Sequence, residues 1–209
     1  MRLRRLAAAA VALLAVAGLS SCTSKVGQAA VVGGHRLSDS DLTTFVQAAA
    51  KSYPDPSTRT TVVPKLNALE VWINDQLFAG AVQSHGGPVT SAELGRTQAL
   101  VLGRGTLQDV TSHFDKLGYT GRFSALLVHR QQLILLLVKR LVPKIADSQI
   151  ASALQNANVV RALLAAVQKI KVSVSGRYGS WDPQHIALTQ TRGAGLPGFV
   201  SFVPTSATG

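Results

Sequence analysis

Hydrophobic positions recur at helical spacing through most of the chain, most regularly after Pro64. Leu66, Leu69, Ile73, Leu77 and Ala81 share one helix face there; Pro64 suits the first turn, and Gly86-Gly87-Pro88 is a strong stop. Upstream, Leu42, Phe45, Val46 and Ala49 follow the same rule behind Ser38, with Asp41 placed for a capping-box-like start. That helix is expected to end at Tyr53-Pro54-Asp55-Pro56. Downstream, Thr90-Ser91-Ala92-Glu93 is a capping box opening a third helix, which Gly103-Arg104-Gly105 interrupts. Thr106 then caps a fourth, with Leu107, Val110, Phe114 and Leu117 in register and Gly118 at its end.

The stretch from Gly121 to Val142 is different, because Leu133 to Val138 is apolar all round. Such a helix belongs in the middle of a bundle. Pro143 breaks or bends it, Ser148 is expected to cap a short helix, and Asn158 to start a last one carrying Val160, Leu163, Leu164 and Val167. Trp72, one position off its helix's main stripe, reads as core or core edge.

The period then changes. Lys171 to Ser175 alternates polar and apolar, the mark of a half-buried strand, and Ala29 to Val32 reads as another before Gly33-Gly34. With no hairpin neighbour predicted for either, the two are expected to pair with each other, since isolated strands leave backbone groups unsatisfied. The expected fold is mainly α, a helical bundle of about six to seven helices closed by a short two-stranded sheet joining the N- and C-terminal segments. Residues 29–182 form the domain and 22–28 a tether; 183–209, rich in Gly, Thr, Ser and Pro, is expected to be a disordered tail.

The N-terminus carries a separate signal. Arg2, Arg4 and Arg5 precede an apolar run from Leu6 to Leu19, too short to span a bilayer comfortably, so residues 1–21 read as a secretory signal. The run ends Leu19-Ser20-Ser21-Cys22, which resembles the bacterial lipobox: a branched apolar residue, two small residues, then cysteine. The resemblance implies a diacylglyceryl group on the Cys22 thiol and cleavage just before it. Acyl burial, at about 0.8 kcal/mol per CH₂, then anchors the protein to the cell membrane on its extracytoplasmic face. Leu126 to Val142 is interrupted by His129, Arg130, Lys139 and Arg140 and is expected to be a buried helix, not a span. Cys22 is the sole cysteine, so no internal disulfide is possible and stability has to come from the core.

Without the three signal arginines, 18 basic side chains face 10 acidic ones, a net charge of +8. They are scattered, Lys139-Arg140 being the densest pair, with no aromatic interleaving, which argues against a nucleic-acid partner. A solvated surface or modest attraction to an anionic envelope surface accounts for them.

No catalytic set is legible. His35, His85, His113, His129 and His185 stand singly, and none forms a metal-ligand pair. Gly103-Arg104-Gly105 lacks the lysine and spacing of a phosphate loop, and Asp39 and Asp41 fit helix capping better than acid–base work. Tyr178 and Trp181 read as packing for the closing strand in preference to a ligand platform. No cofactor, metal or small-molecule substrate is expected, and the chain is not expected to be an enzyme.

Three segments carry a resemblance to bacterial lipoproteins with a SurA-type N-terminal domain, related to the helical part of SurA and PrsA chaperones. Ala30-Val-Val-Gly-Gly-His-Arg-Leu-Ser-Asp-Ser-Asp-Leu42 is similar to the family's opening, with Gly33 where asparagine is usual. Gly87-Pro-Val-Thr-Ser-Ala-Glu-Leu94 is similar to its later helix entry, and Val172-Ser-Val-Ser-Gly-Arg-Tyr-Gly-Ser-Trp181 resembles the closing strand of a Gram-positive subgroup. The resemblance implies a non-catalytic chaperone-like domain that binds unfolded or partly folded secreted polypeptides. Only 27 residues follow Asp182, too few for a parvulin isomerase domain, so that activity is not implied. The alternative is a lipoprotein that docks one folded envelope partner. Groove leucines and core leucines look alike in sequence, so no client-binding residue is assigned.

Overall fold

Gly33 and Gly34, both at positive φ, join β1 (Gln28–Val32) and β2 (His35–Ser38) into a tight antiparallel hairpin. A two-residue turn of this hand needs positive φ at both positions, which glycine supplies without steric cost. This computed structural model describes residues 27–47, 62–103 and 105–189. The signal segment, Cys22, the expected helix end at Tyr53 to Pro56 and residues 190–209 lie outside them.

The expected pairing of the two terminal strands is present. β3 (Val172–Val174) runs antiparallel to β1, with Ala30 opposite Val174, Val31 opposite Ser173 and Val32 opposite Val172. The sheet nevertheless has three strands, in the order β2-β1-β3, because β1 does have a local hairpin partner. A bulge between Gln28 and Ala30 breaks the alternation and lets Ala29 and Ala30 both turn inward. β1 begins at Gln28, and the Gly27 carbonyl accepts the Asp39 N–H at 2.8 Å, so the fold starts inside the expected tether.

Among the described residues seven helices follow the hairpin or lie between it and β3. α1 (Asp39–Thr44) is capped by Ser38, whose hydroxyl accepts from the Asp41 N–H. It is shorter than the sequence predicts. Val46 bridges Tyr119, the Gln47 N–H donates to the Gly118 carbonyl at 2.7 Å, and the Thr120 N–H donates to that of Phe45, so the chain leaves the helix after Phe45 and pairs with 118–120. α2 (Val62–Ser84) and α5 (Gly121–Leu141) form the central pair. All five residues of the α2 stripe are buried, as is the α5 run from Gln132 to Val138. Trp72 is core as well.

α3 (Ser91–Leu102) and α4 (Leu107–Lys116) each begin with a complete capping box, at Thr90/Glu93 and Thr106/Asp109, and each packs on α5. α6 (Asp147–Ala153) has Ala146 at its N-cap position and no side-chain cap, Ser148 lying inside the first turn, and Asp147 pairs with Lys139. α7 (Ala157–Val167) starts two residues before expectation in its cap, since the Asn156 side chain accepts from the Asn158 N–H.

The domain also extends beyond Asp182, where the tail was expected to begin. β4 (Ser180–Asp182) and β5 (Ala187–Thr189) form a second antiparallel hairpin. Ile186 and Leu188 are the apolar anchors: both are buried, and the Leu188 N–H donates to Glu70 of α2 at 3.2 Å. Ile186 sits at φ 51°, an uncommon conformation for a β-branched residue, held by burial of its side chain.

Candidate functional site

The polar groups closest to an enzyme-like arrangement lie on the α2–α5 seam. Asp75, buried between Asn74 and Gln76 in the middle of α2, faces His129 of α5, with Nδ1 and Oδ1 2.6 Å apart; Gln76 donates to its other oxygen. This hydrogen bond raises the His129 pKa above the usual histidine value against the opposing effect of burial. One turn away on α2, burial raises the Glu70 carboxyl, offset in part by the Leu188 N–H and the Arg130 charge. Burial in turn lowers Arg130, whose Nε has no hydrogen-bond partner.

An Asp–His pair can orient an imidazole as a general base, but it needs a nucleophile or a substrate proton within reach. Among the described residues no hydroxyl or thiol hydrogen-bonds to the His129 ring, and Ser124 on the same helix is fully buried. The pair ties two core helices together.

The other histidines are dispersed. His185 pairs with Asp182 in the β4–β5 turn, His85 bonds the Ala81 carbonyl at the end of α2, His113 packs edge-on against Phe114, and His35 is exposed on β2. The described residues contain no group of three or more His, Cys, Asp or Glu side chains arranged to hold a metal ion. Between α7 and the second hairpin, Trp181, Val167, Ile170 and Ile186 line a half-open cleft of about 10 Å³, the room of one water molecule.

The closing motif has a structural role. The Tyr178 hydroxyl donates to Asp39 Oδ1 at 2.8 Å, Arg177 pairs with Asp39 Oδ2, and the Arg177 guanidinium lies 5.4 Å from the Tyr178 ring centre. The C-terminal segment is thereby fastened to the first residue of α1. Asp39 serves as an anchor for that segment, more than the sequence reading of it as a capping and dipole residue anticipates.

Arg140 does comparable work at the other end of the bundle. Its guanidinium donates to the carbonyls of Val82 and Gly87 and to Glu93, joining the end of α2, the following loop and the cap of α3. The Thr90 N–H, Arg140 and the Thr90 hydroxyl together hold Glu93 at a pKa of about 2. Lys139-Arg140 looked like simple surface charge in sequence; the arginine is a three-way tie.

The surface feature suited to binding is apolar and lies on α3 and α4. α3 fully buries only Thr97, and α4 fully buries nothing. Leu94, Val101 and Phe114 rest half-buried on α5, while Leu100 and Leu107 are 40% exposed and Leu117 37%. Three of the five large apolar side chains that the described residues expose therefore belong to α3, α4 and the cap of α4. Beneath it the aromatic rings of Phe114, Tyr119 and Phe123 interlock, Tyr119 and Phe123 stacking at 4.1 Å. The amphipathic spacing of Leu107, Val110, Phe114 and Leu117 located this stripe, but its partial exposure had no signal in the sequence. Compared with protein-family models, curated proteins and solved structures, the chain has no match.

Proposed function

We propose that this chain is a lipid-anchored extracytoplasmic chaperone-like protein that holds apolar segments of unfolded or partly folded secreted polypeptides on the α3–α4 face. The observation that carries the reading is the exposure of Leu100, Leu107 and Leu117 on α3, α4 and the cap of α4, two helices that pack on α5 and bury little of their own surface. Apolar side chains so placed gain by covering a client's own apolar residues, and the gain needs neither nucleotide nor covalent chemistry. Two further features support it. The resemblance to SurA-type domains implies this use, and the β1–β3 pairing has the joined N- and C-terminal segments that the resemblance implies. Cys22, preceded by Leu19-Ser20-Ser21, supplies the membrane anchor in this reading.

The test is suppression of aggregation of a chemically denatured client by the mature chain, compared with Leu100→Ser/Leu107→Ser. Both substitutions fall on exposed positions, so the melting temperature should hold while suppression drops severalfold. Equal suppression by both proteins would remove the α3–α4 face from the reading. No binding of denatured client, with retention of one folded envelope protein, would make the chain a docking lipoprotein instead.

A further inference from the structure

The β-ladder brings together basic residues that the sequence separates by more than a hundred positions. Arg36 of β2, Val31 of β1 and Ser173 of β3 lie opposite one another and so share a face. The neighbouring rows place Leu37, Ala30 and Val32 in the core, so this row looks outward. Lys171 stands two residues before Ser173, and its carbonyl accepts the Gly33 N–H at 3.1 Å, which sets it beside the hairpin turn. Lys169 and His35 are exposed at the same end of the sheet.

These side chains are also unused. Arg140, Arg177, Lys139 and Arg161 have polar partners, and Arg122 lies over the Phe45 ring. Among the described residues, Arg36, Lys169 and Lys171 form no ion pair or side-chain hydrogen bond. Asp39, the acid adjoining β2, sits at the far end of that strand and is paired with Arg177. The turn end of the sheet thus carries uncompensated positive charge.

We infer that this outward face, Arg36 with Lys169 and Lys171, docks the domain onto the anionic lipid headgroups of the membrane that holds its anchor. The inference rests on the lipid-anchored reading. Cys22 precedes Gln28 by six residues, a span of about 20 Å at full extension, so the sheet cannot move far from the acyl chains. Attraction between basic side chains and an anionic bilayer decays within a Debye length of about 8 Å, a separation that so short a tether keeps sampling. The anchor converts docking into an intramolecular event, so a few charges that bind weakly alone are enough to bias orientation. Docking there settles which side of the domain faces the lipid.

The experiment uses the full lipidated chain reconstituted in phosphatidylcholine vesicles and in vesicles where phosphatidylglycerol replaces part of that lipid. Acetylation rates at Lys169 and Lys171 are read by mass spectrometry, with Lys116 on α4 as the internal reference. Docking slows both lysines by about threefold or more in the anionic vesicles only, relative to Lys116, and about 1 M salt removes the difference. Arg36→Glu/Lys171→Glu, at two exposed positions, should abolish the slowing at Lys169 with no loss of melting temperature. A chain that floats with neutral vesicles but labels alike in both would overturn the docking and leave the anchor standing. A chain that fails to float with neutral vesicles overturns the anchor and the docking with it.

Discussion

Asp39 and Tyr178, 139 residues apart in sequence, are joined by a hydrogen bond of 2.8 Å that fastens the C-terminal segment to the start of α1. Burial first, and then this bond to a carboxylate, raises the Tyr178 pKa, so the phenol stays a donor through the physiological range. Tyr178→Phe keeps the ring and removes the bond. It should cost about 1 kcal/mol, or about 2–4 °C in thermal melting of a domain this size. An unchanged melting curve would show that the Tyr178–Asp39 bond adds nothing to the hold of Arg177 and the β1–β3 pairing on this segment.

His129 and Asp75 make stability depend on pH near neutrality. The folded His129 pKa is raised above 6.5, so its contribution is full below 6.5 and is lost as pH rises through the folded value. Glu70, also raised, acts in the same direction, because its ionisation in a buried site is relieved on acidification. The protein should therefore melt higher at mildly acidic than at mildly alkaline pH. His129→Gln should flatten much of that slope. Parallel profiles for variant and wild type would rule out the imidazole as the source.

Glu93 contributes on the acid side, alongside Asp109 and Asp182, whose carboxyls are also held below the usual range by hydrogen bonds. Its pKa of about 2 in the folded chain means that its contribution is present above the ordinary value of 4.5 and is lost as pH falls toward 2. Glu93→Ala removes half of the α3 capping box and one of the ties to Arg140. The expected loss is about 2 kcal/mol at neutral pH, seen as a lower urea midpoint with an unchanged slope. The variant should also lack part of the wild-type decline between pH 4.5 and 2.

Leu137 and Leu100 separate core from surface. Leu137 is fully buried near the C-terminal end of α5, and its truncation to alanine should cost about 2–5 kcal/mol through lost transfer energy and a residual cavity. Leu100→Ala, on the exposed α3 face, should stay within about 0.5 kcal/mol of wild type. A large loss at Leu100 would mean that the apolar face is part of the core and free for no client.

The elements that were legible are those coded by local pattern. The α2 stripe, the all-apolar run of α5 and the Thr90 and Thr106 caps are each contained within one stretch of chain, and the structure has them where the periodicity put them. The β1–β2 hairpin had a signal, two glycines before His35, but β2 alternates too weakly for its Leu37 to stand out. The length of α1 had none, because it is Tyr119 and its neighbours, over 70 residues away, that take up the backbone after Phe45. The β4–β5 hairpin was hidden in the same way: Ile186 and Leu188 are too few to predict a core contact, and α2 provides it. Asp75 left a trace, a carboxylate beside the apolar stripe of α2, although its partner could not be read.

By itself the sequence determined the helical character, the central place of α5 and the strand periods at the two ends, since each follows from side-chain spacing along a few turns. Only the tertiary structure decided that Tyr178 meets Asp39, that Arg140 joins three segments, that Leu100 stays at the surface, and that Arg36 and Lys171 share a face. Those outcomes depend on which surfaces compete for the same neighbours once the chain is folded, and local spacing carries no record of that competition.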